Sequence, residues 1–413
     1  MKLIDRVVFV LILLVPTGAL ALKKWSNSLF ILAVSASIIS ILFSRKLGSD
    51  KFSSWLWLLS ISFGAPFFVD LLMQILRQNI IWSQLDAPSR LLLGIPILLF
   101  CAYRGEVKYQ PFILILSLCI FLTLTSILTN PTGLEFWGRW ATSFADPNSL
   151  GSVSAIAVAG LLFLCLVHYT DRDWLRLVIG LTALALGLLI LLKSQSRGGW
   201  LVFLVLTPLV IYLAMRIKLR GIPYLGIATA TVILSLIVID KSLYSRAVSI
   251  YLESIEWLNN QHESMTSIGI RLNMLDASWA LIKHSPLVGY GDHGYKQILE
   301  SGIVGQFSAE TLEGMSVTPH NEIVGKTLRS GILGGLASFF VFAVPVIFFG
   351  VMSHKGSQQQ TKIAACLGLI TVIGFFIAGL SAGILGLAYI SSLYAVSVMS
   401  LAGISLAHFY SNR

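Results

Sequence analysis

The chain is 413 residues long, 56% hydrophobic and only 12% charged, with a mean hydropathy of +0.83 and a formal net charge of +10 at pH 7. A water-soluble fold of this length cannot bury that much apolar surface in one core and still cover itself with polar groups, so a bilayer must take the place of the missing core. Nucleic-acid binding is excluded too, because no run of Lys and Arg is long enough to form a binding stripe.

Apolar runs follow one another near residues 6–22, 27–43, 54–76, 90–103, 110–129, 149–168, 174–192, 199–215, 223–239, 322–352, 362–380 and 384–409. A spanning helix needs roughly 20 mainly apolar residues. The pattern therefore predicts an all-α, polytopic membrane protein with about twelve transmembrane helices. The first run also has the outline of a signal peptide, with Lys2 and Arg6 before it and Ala19-Leu20-Ala21 near its end. We read it as a retained helix because so many spans follow. Cys101, Cys119, Cys165 and Cys366 all fall inside apolar runs without metal-ligand spacing, so neither a disulfide nor a zinc site is expected.

Orientation follows from the basic residues. With the N-terminus inside, the inner segments carry 15 Lys and Arg residues and the short outer ones carry 7. The single long loop, residues 240–319, then faces outward between spans one to nine (1–239) and spans ten to twelve (320–413). It is not a linker. Leu272, Leu275, Trp279 and Ile282 recur at helical spacing, and 246–258 reads similarly, which predicts amphipathic helices along the membrane surface or over the bundle.

The outward ends concentrate polar residues that a passive span does not need. Arg139 precedes Asn148 at the start of the sixth span. Lys193 and Arg197 lie between spans seven and eight, and share a helix face if the seventh helix continues. Arg197 is followed by Gly198-Gly199, which permit close backbone approach. Arg271 opens a loop helix. His320 stands in Thr318-Pro319-His320-Asn321-Glu322, where Thr318 reads as an N-cap and Pro319 as the first helical residue. That places His320 in a first turn, where the helix dipole disfavours imidazolium and leaves a base that Asn321 or Glu322 could orient. The bland alternatives are snorkelling for Arg139 and Lys193, a solvated helix face for Arg271, and a structural histidine.

Several cations around a membrane-level cleft suit an anion, and a departing pyrophosphate needs its charge neutralised by a metal or by fixed Lys and Arg. The one Asp-x-Asp pattern, Asp171 to Asp173, falls in an inner loop and reads as solvated. Guanidinium groups are therefore expected to serve in place of metal. Gly289-Tyr290-Gly291 through Tyr295 reads as a turn rather than a nucleotide loop, with Tyr290, His293 or Tyr295 able to touch a sugar. Asp70 and Glu135 are expected to pair with neighbouring cations. Sparse intramembrane charge argues against a proton-relay transporter.

Three stretches carry a family resemblance: Ser194-Gln-Ser-Arg197-Gly; Ile268-Gly-Ile-Arg271-Leu running to Ser285-Pro-Leu-Val-Gly-Tyr-Gly; and Pro319-His320-Asn321-Glu322 followed by Gly331-Ile-Leu-Gly. In combination they resemble the O-antigen ligase family, part of a superfamily with O-antigen polymerases and oligosaccharyltransferases that modify proteins. The resemblance implies an enzyme of the bacterial inner membrane with a periplasmic active site, no cofactor and no metal. It would transfer a glycan from undecaprenyl pyrophosphate to lipid A–core oligosaccharide with inversion. By motif position, Arg197 and Arg271 match the arginines that hold the pyrophosphate, and His320 the histidine that assists acceptor deprotonation. Arg139, Asn148, Lys193, Asn321 and Glu322 are added here as substrate-binding candidates. The competing readings are a polymerase or protein transferase of the same superfamily, or a lipid-glycan transporter.

Overall fold

The computed structural model describes residues 3–43, 54–104, 109–131, 135–239, 241–259, 266–291, 294–303, 305, 311–313, 315, 319–356 and 358–410. Among them every regular element is a helix. In chain order these are α1 Leu3–Leu14, α2 Trp25–Leu42, α3 Ser54–Leu76, α4 Asp86–Leu92, α5 Ile95–Arg104, α6 Gln110–Thr129, α7 Pro147–Thr170, α8 Trp174–Lys193, α9 Arg197–Arg216, α10 Ile222–Ile239, α11 Lys241–Asn259, α12 Ser267–His284, α13 Gly294–Glu300, α14 Glu322–Lys355, α15 Gln359–Gly379 and α16 Ala388–Tyr410.

Among the described residues ten helices, not twelve, are long and apolar enough to cross a membrane. The first run falls short because its helix stops at Leu14; twelve residues rise only about 18 Å against a hydrocarbon core of about 30 Å. Its buried Val8, Phe9 and Ile12 nonetheless belong to the core, and the Trp25 indole N–H donates to the Leu14 carbonyl. The ninth run is helical over Ile222–Ile239 but stands outside the ten. The fourth span is broken, with a 3-10 turn at Trp82–Leu85 leading into α4 and then α5.

α7 is the hub. All its residues from Ser149 to His168 are buried, wrapped by α6, α8, α9 and α15. A helix that is apolar all round can sit only there, and its small residues let neighbours approach. A Cβ on Gly160 would meet Leu116 at 2.9 Å, and one on Gly187 of α8 would meet Val158 at 2.7 Å. The outer helices instead expose Ile31, Leu32, Trp57, Ile61, Phe68, Val178 and Leu204, a large apolar surface that suits lipid.

α14 is interrupted at Ser330 and Gly331, the latter at φ 64° and ψ −168°. The break frees carbonyls, and Ser285-Pro-Leu-Val-Gly-Tyr-Gly fills it. Tyr290 N–H donates to Leu328 O at 2.8 Å, Gly291 N–H to Arg329 O at 3.0 Å, and Ile332 N–H to Pro286 O at 2.8 Å. Arg77 at the end of α3 donates through Nη1 to both Val288 O and Arg329 O, each at 2.8 Å. The glycine-rich stretch is thus a brace for a broken helix. Tyr295 is buried with its hydroxyl donating to Met315 O, so of the three residues expected to touch a sugar it is not available, while His293 lies outside the described residues. Asp70 pairs with Lys326 at 2.7 Å, as expected for it, and also accepts from Ser330 Oγ at 2.6 Å.

The loop helices are present, and α12 buries a second apolar stripe beside the one its periodicity picks out. Met274, Ala277 and Leu281 join Tyr295, Leu299, Met315 and Leu328 in a second core, while Trp279 stays 60% exposed. The bundle below offers an apolar surface to one side of α12 and the membrane interface can take the other, so both stripes are apolar.

Gly331 holds a conformation open essentially to glycine alone, and a Cβ there would lie 2.0 Å from Leu287 O. Gly331→Ala should therefore destabilise the protein by at least about 1–3 kcal/mol, read as a lower melting temperature in detergent; an unchanged melting temperature would mean the break is not obligatory.

Candidate functional site

Two glycines bring the ends of α7 and α9 together. A Cβ on Gly199 would lie 2.6 Å from the Gly151 carbonyl carbon, and one on Gly151 would lie 2.5 Å from Ser196 Cβ. The backbones touch where the glycine pair after Arg197 anticipated it. Asp146 caps α7, its Oδ1 accepting from the amides of Asn148 at 2.8 Å and Ser149 at 3.2 Å. Ser196 caps α9 by accepting from Gly199 N–H at 3.1 Å.

Arg139 closes the gap between these helix ends. Its Nε donates to Ser194 O at 3.0 Å and its Nη2 to Asn148 Oδ1 at 2.9 Å, while the Lys193 carbonyl accepts from Trp140 N–H at 2.9 Å. Arg139 therefore ties the segment before α7 to the α8–α9 turn. Lys193 and Arg197 do not share a helix face: α8 ends at Lys193 and Gln195 takes a left-handed φ of 49° before α9 begins. The serine at 196 prefers to cap, and that choice ends one helix and starts the next.

Arg197 is the first residue of α9 and is mostly buried. Its guanidinium is held by a carboxylate on α11: Nη1 donates to Glu253 Oε2 at 2.7 Å, Nη2 to the other carboxylate oxygen and to Ser249 Oγ at 2.7 Å. Glu253 Oε2 also accepts from Ile268 N–H at 3.3 Å in the first turn of α12. One turn further on, α12 presents Arg271.

Arg271 stands near enough to His320 for its charge to act on the imidazole. It sits before α14, not within its first turn, because Asn321 is the cap: Asn321 Oδ1 accepts from the amides of Ile323 and Val324, both at 3.1 Å. His320 carries the reversal that lets it do so, at φ 49°. Thr318, read as the cap, lies outside the described residues. Burial and the Arg271 guanidinium push the His320 imidazole below the usual histidine value, and Asp146 opposes them by favouring the charged form. The Glu322 side chain is buried and accepts from Leu385 N–H at 2.9 Å, and Asn321 Nδ2 reaches Leu380 O at 3.4 Å. Both therefore fasten the 380–388 turn to the start of α14.

Arg139, Asn148, Lys193, Arg197, Arg271, His320, Asn321 and Glu322 thus come from four separate stretches to one end of the bundle. Two participants escaped the sequence. Asp146 carried a signal, an Asp-Pro pair opening an apolar run. Glu253 carried none, because a lone acid on a loop helix reads as a solvated charge. Asp171 and Asp173 lie at the opposite end, Asp171 accepting from Tyr109 OH and Asp173 pairing with Arg176. Among the described residues no group of three or more His, Cys, Asp or Glu is placed to hold a metal ion.

Residues 182–340 match the sequence model of the O-antigen ligase family, a match that takes in Lys193, Arg197, Arg271 and His320 and supports membership of that family. A protein of Haemophilus influenzae, described as uncharacterized, is 24% identical over 388 residues, covering 90% of each chain.

The electrostatic arrangement fixes the sign of a titration. In imidazole-detected NMR of the purified protein, His320 should take up its proton below the ordinary histidine range. Arg271→Gln should move that titration upward and Asp146→Asn, which still caps α7, downward. Movement in neither variant would place both charges too far away to act.

Proposed function

We propose that this member of the O-antigen ligase family is a glycosyltransferase that moves a glycan from undecaprenyl pyrophosphate to a sugar hydroxyl of lipid A–core oligosaccharide, at the periplasmic face of the bacterial inner membrane. The observation that carries this reading is the convergence of Arg197, Arg271 and His320 at one end of a membrane bundle. The sorting of Lys and Arg over the runs read from the sequence, 15 against 7, supports an outward orientation for that end.

In this reading Arg197 and Arg271 neutralise the pyrophosphate as the bond to the anomeric carbon breaks and the leaving group takes the electron pair. The acceptor hydroxyl attacks from the opposite face, which inverts the carbon, and His320 receives its proton. The depressed basicity of His320 keeps it neutral and able to accept at neutral pH. Guanidinium charge fixed in place does here what a metal would do elsewhere. Arg139, Asn148 and Lys193 hold the donor side of the cleft in shape, Asn321 and Glu322 the acceptor side, and the polyprenyl chain lies against the exposed apolar faces of the bundle.

Glu253 takes a part in this scheme. Its two oxygens meet Arg197 much as a phosphate would, so the donor must displace it. Removing its charge leaves the guanidinium available at some expense in stability, on the order of 3–5 kcal/mol for a buried pair. Glu253→Gln should bind undecaprenyl pyrophosphate more tightly than the wild type and melt at lower temperature. Weaker binding would make Glu253 a partner of the donor instead of its competitor.

Transfer itself is tested with purified protein in nanodiscs, given undecaprenyl pyrophosphate-linked glycan with and without lipid A–core and no added metal. Product that appears only with lipid A–core is expected, and Arg271→Ala should lower the rate by about 100-fold or more while leaving the protein folded. A ladder from donor alone would make the enzyme a polymerase. Full activity in Arg271→Ala would remove the arginine from the mechanism.

A further inference from the structure

A second group of cations stands at the other end of α9, about 29 Å along the helix from Arg197. Arg216, the last residue of α9, meets His354 near the end of α14, its Nη2 against the imidazole Nδ1. A guanidinium offers only donors, so Nδ1 must be the acceptor. Both helices pack on α15. Lys362 of α15 completes the group, because Arg216 and Lys362 both stand near enough to Cys366 for their charges to act on it. Lys355 follows His354 directly, and Lys218 and Arg220 follow Arg216 in the turn before α10.

Among the described residues nothing acidic balances these charges: no carboxylate pairs with Arg216, Lys218, Arg220, Lys355 or Lys362. Arg220 N–H donates to Thr170 Oγ1 at 2.8 Å, which brings the turn beside the end of α7. The acids that follow there, Asp171 and Asp173, are taken by Tyr109 and Arg176. Arg216 and Lys362 are also half-buried. A cation drawn partly out of water and given no carboxylate calls for an anion from outside the chain. The start of α15 adds to the field, since its dipole is positive there and Gln358 provides no side-chain cap.

The helix that carries Arg216 also presents a lipid-facing stripe. Leu201, Leu204, Pro208, Tyr212 and Met215 recur at spacings of three and four, and all are exposed. They run about 21 Å along α9, more than half of a hydrocarbon core of about 30 Å, and end beside Arg216. A ligand with charge at one end and hydrocarbon along its body fits this arrangement better than a free anion does. We infer that Arg216, His354, Lys355 and Lys362 bind the headgroup phosphate of an anionic phospholipid from the leaflet at this end, with an acyl chain laid along α9. Arg216 and Lys362 supply the charge that holds the phosphate, and Lys355 flanks it from α14. The site makes no use of the transferase reading and stands or falls without it.

The test is equilibrium binding of lipid to the full-length protein in an uncharged detergent. The probe is phosphatidylglycerol, compared with phosphatidylcholine, which carries the same phosphate but no net charge. The wild type should bind phosphatidylglycerol about tenfold tighter or more. Arg216→Gln combined with Lys362→Gln should erase that preference while leaving the melting temperature without lipid unchanged. Lys355→Gln, at an exposed position, should weaken the preference by itself, so the test does not depend on the double variant folding. Arg6→Gln, which removes an exposed cation of α1, should keep it. Glycerol phosphate at millimolar concentration should not displace the lipid. Equal binding of the two lipids, or a preference intact in the double variant and in Lys355→Gln, would overturn the proposal. An equal loss in Arg6→Gln would overturn it too, by showing diffuse positive charge in place of a site. Displacement by glycerol phosphate would assign the cluster to a soluble phosphate and not to a lipid.

Discussion

The site hangs on one carboxylate. Glu253 joins the start of α9, the middle of α11 and the first turn of α12 through Arg197, Ser249-bearing α11 and the Ile268 amide. Without it α11 would have little to define its place over the bundle, since much of its surface is exposed, including Tyr251, Leu252 and Leu258. With it, α12 is directed so that Arg271 acts on His320. A charged pair this shielded is a weak source of net stability but a strong determinant of geometry, because a wrong arrangement strands a charge.

The rest of the scaffold uses contacts that need no charge. In a bilayer, helices gain little from hydrophobic burial against one another, so close approach of backbones becomes the main attraction. Gly151 and Gly199 provide it at the site end, while Gly160, Gly187 and Gly368 make room for side chains of neighbouring helices deeper in the bundle. The break in α14 is the opposite device. It exposes backbone carbonyls, and the segment after α12 together with Arg77 satisfies them, which locks that segment to α14 at a second point. Two anchors, one ionic and one of main-chain hydrogen bonds, tie α11, α12 and the 285–291 segment to the bundle.

Much of this was legible in the sequence because hydrophobic length and glycine placement are local properties. Ten of the twelve expected spans and the close approach after Arg197 follow from such patterns. What was not legible depended on partners far along the chain. The α8 helix stops at Lys193 because Ser196 caps the next helix, a competition that spacing alone does not decide. Asn321 takes the cap that Thr318 seemed to offer, since it can serve two amides at once. The stripe that α12 buries, Met274, Ala277 and Leu281, was not singled out by the periodicity because both faces are apolar and only the bundle selects one. Glu253 looks like any surface acid until Arg197 is placed opposite it.

The most direct measurement is a cryo-EM structure of the protein in nanodiscs with undecaprenyl pyrophosphate bound. The account predicts phosphate oxygens within hydrogen-bond distance of both Arg197 and Arg271, with the Glu253 carboxylate moved off the Arg197 guanidinium and His320 facing the sugar side. Density for the pyrophosphate elsewhere, or a Glu253–Arg197 pair left intact beside bound lipid, would contradict it.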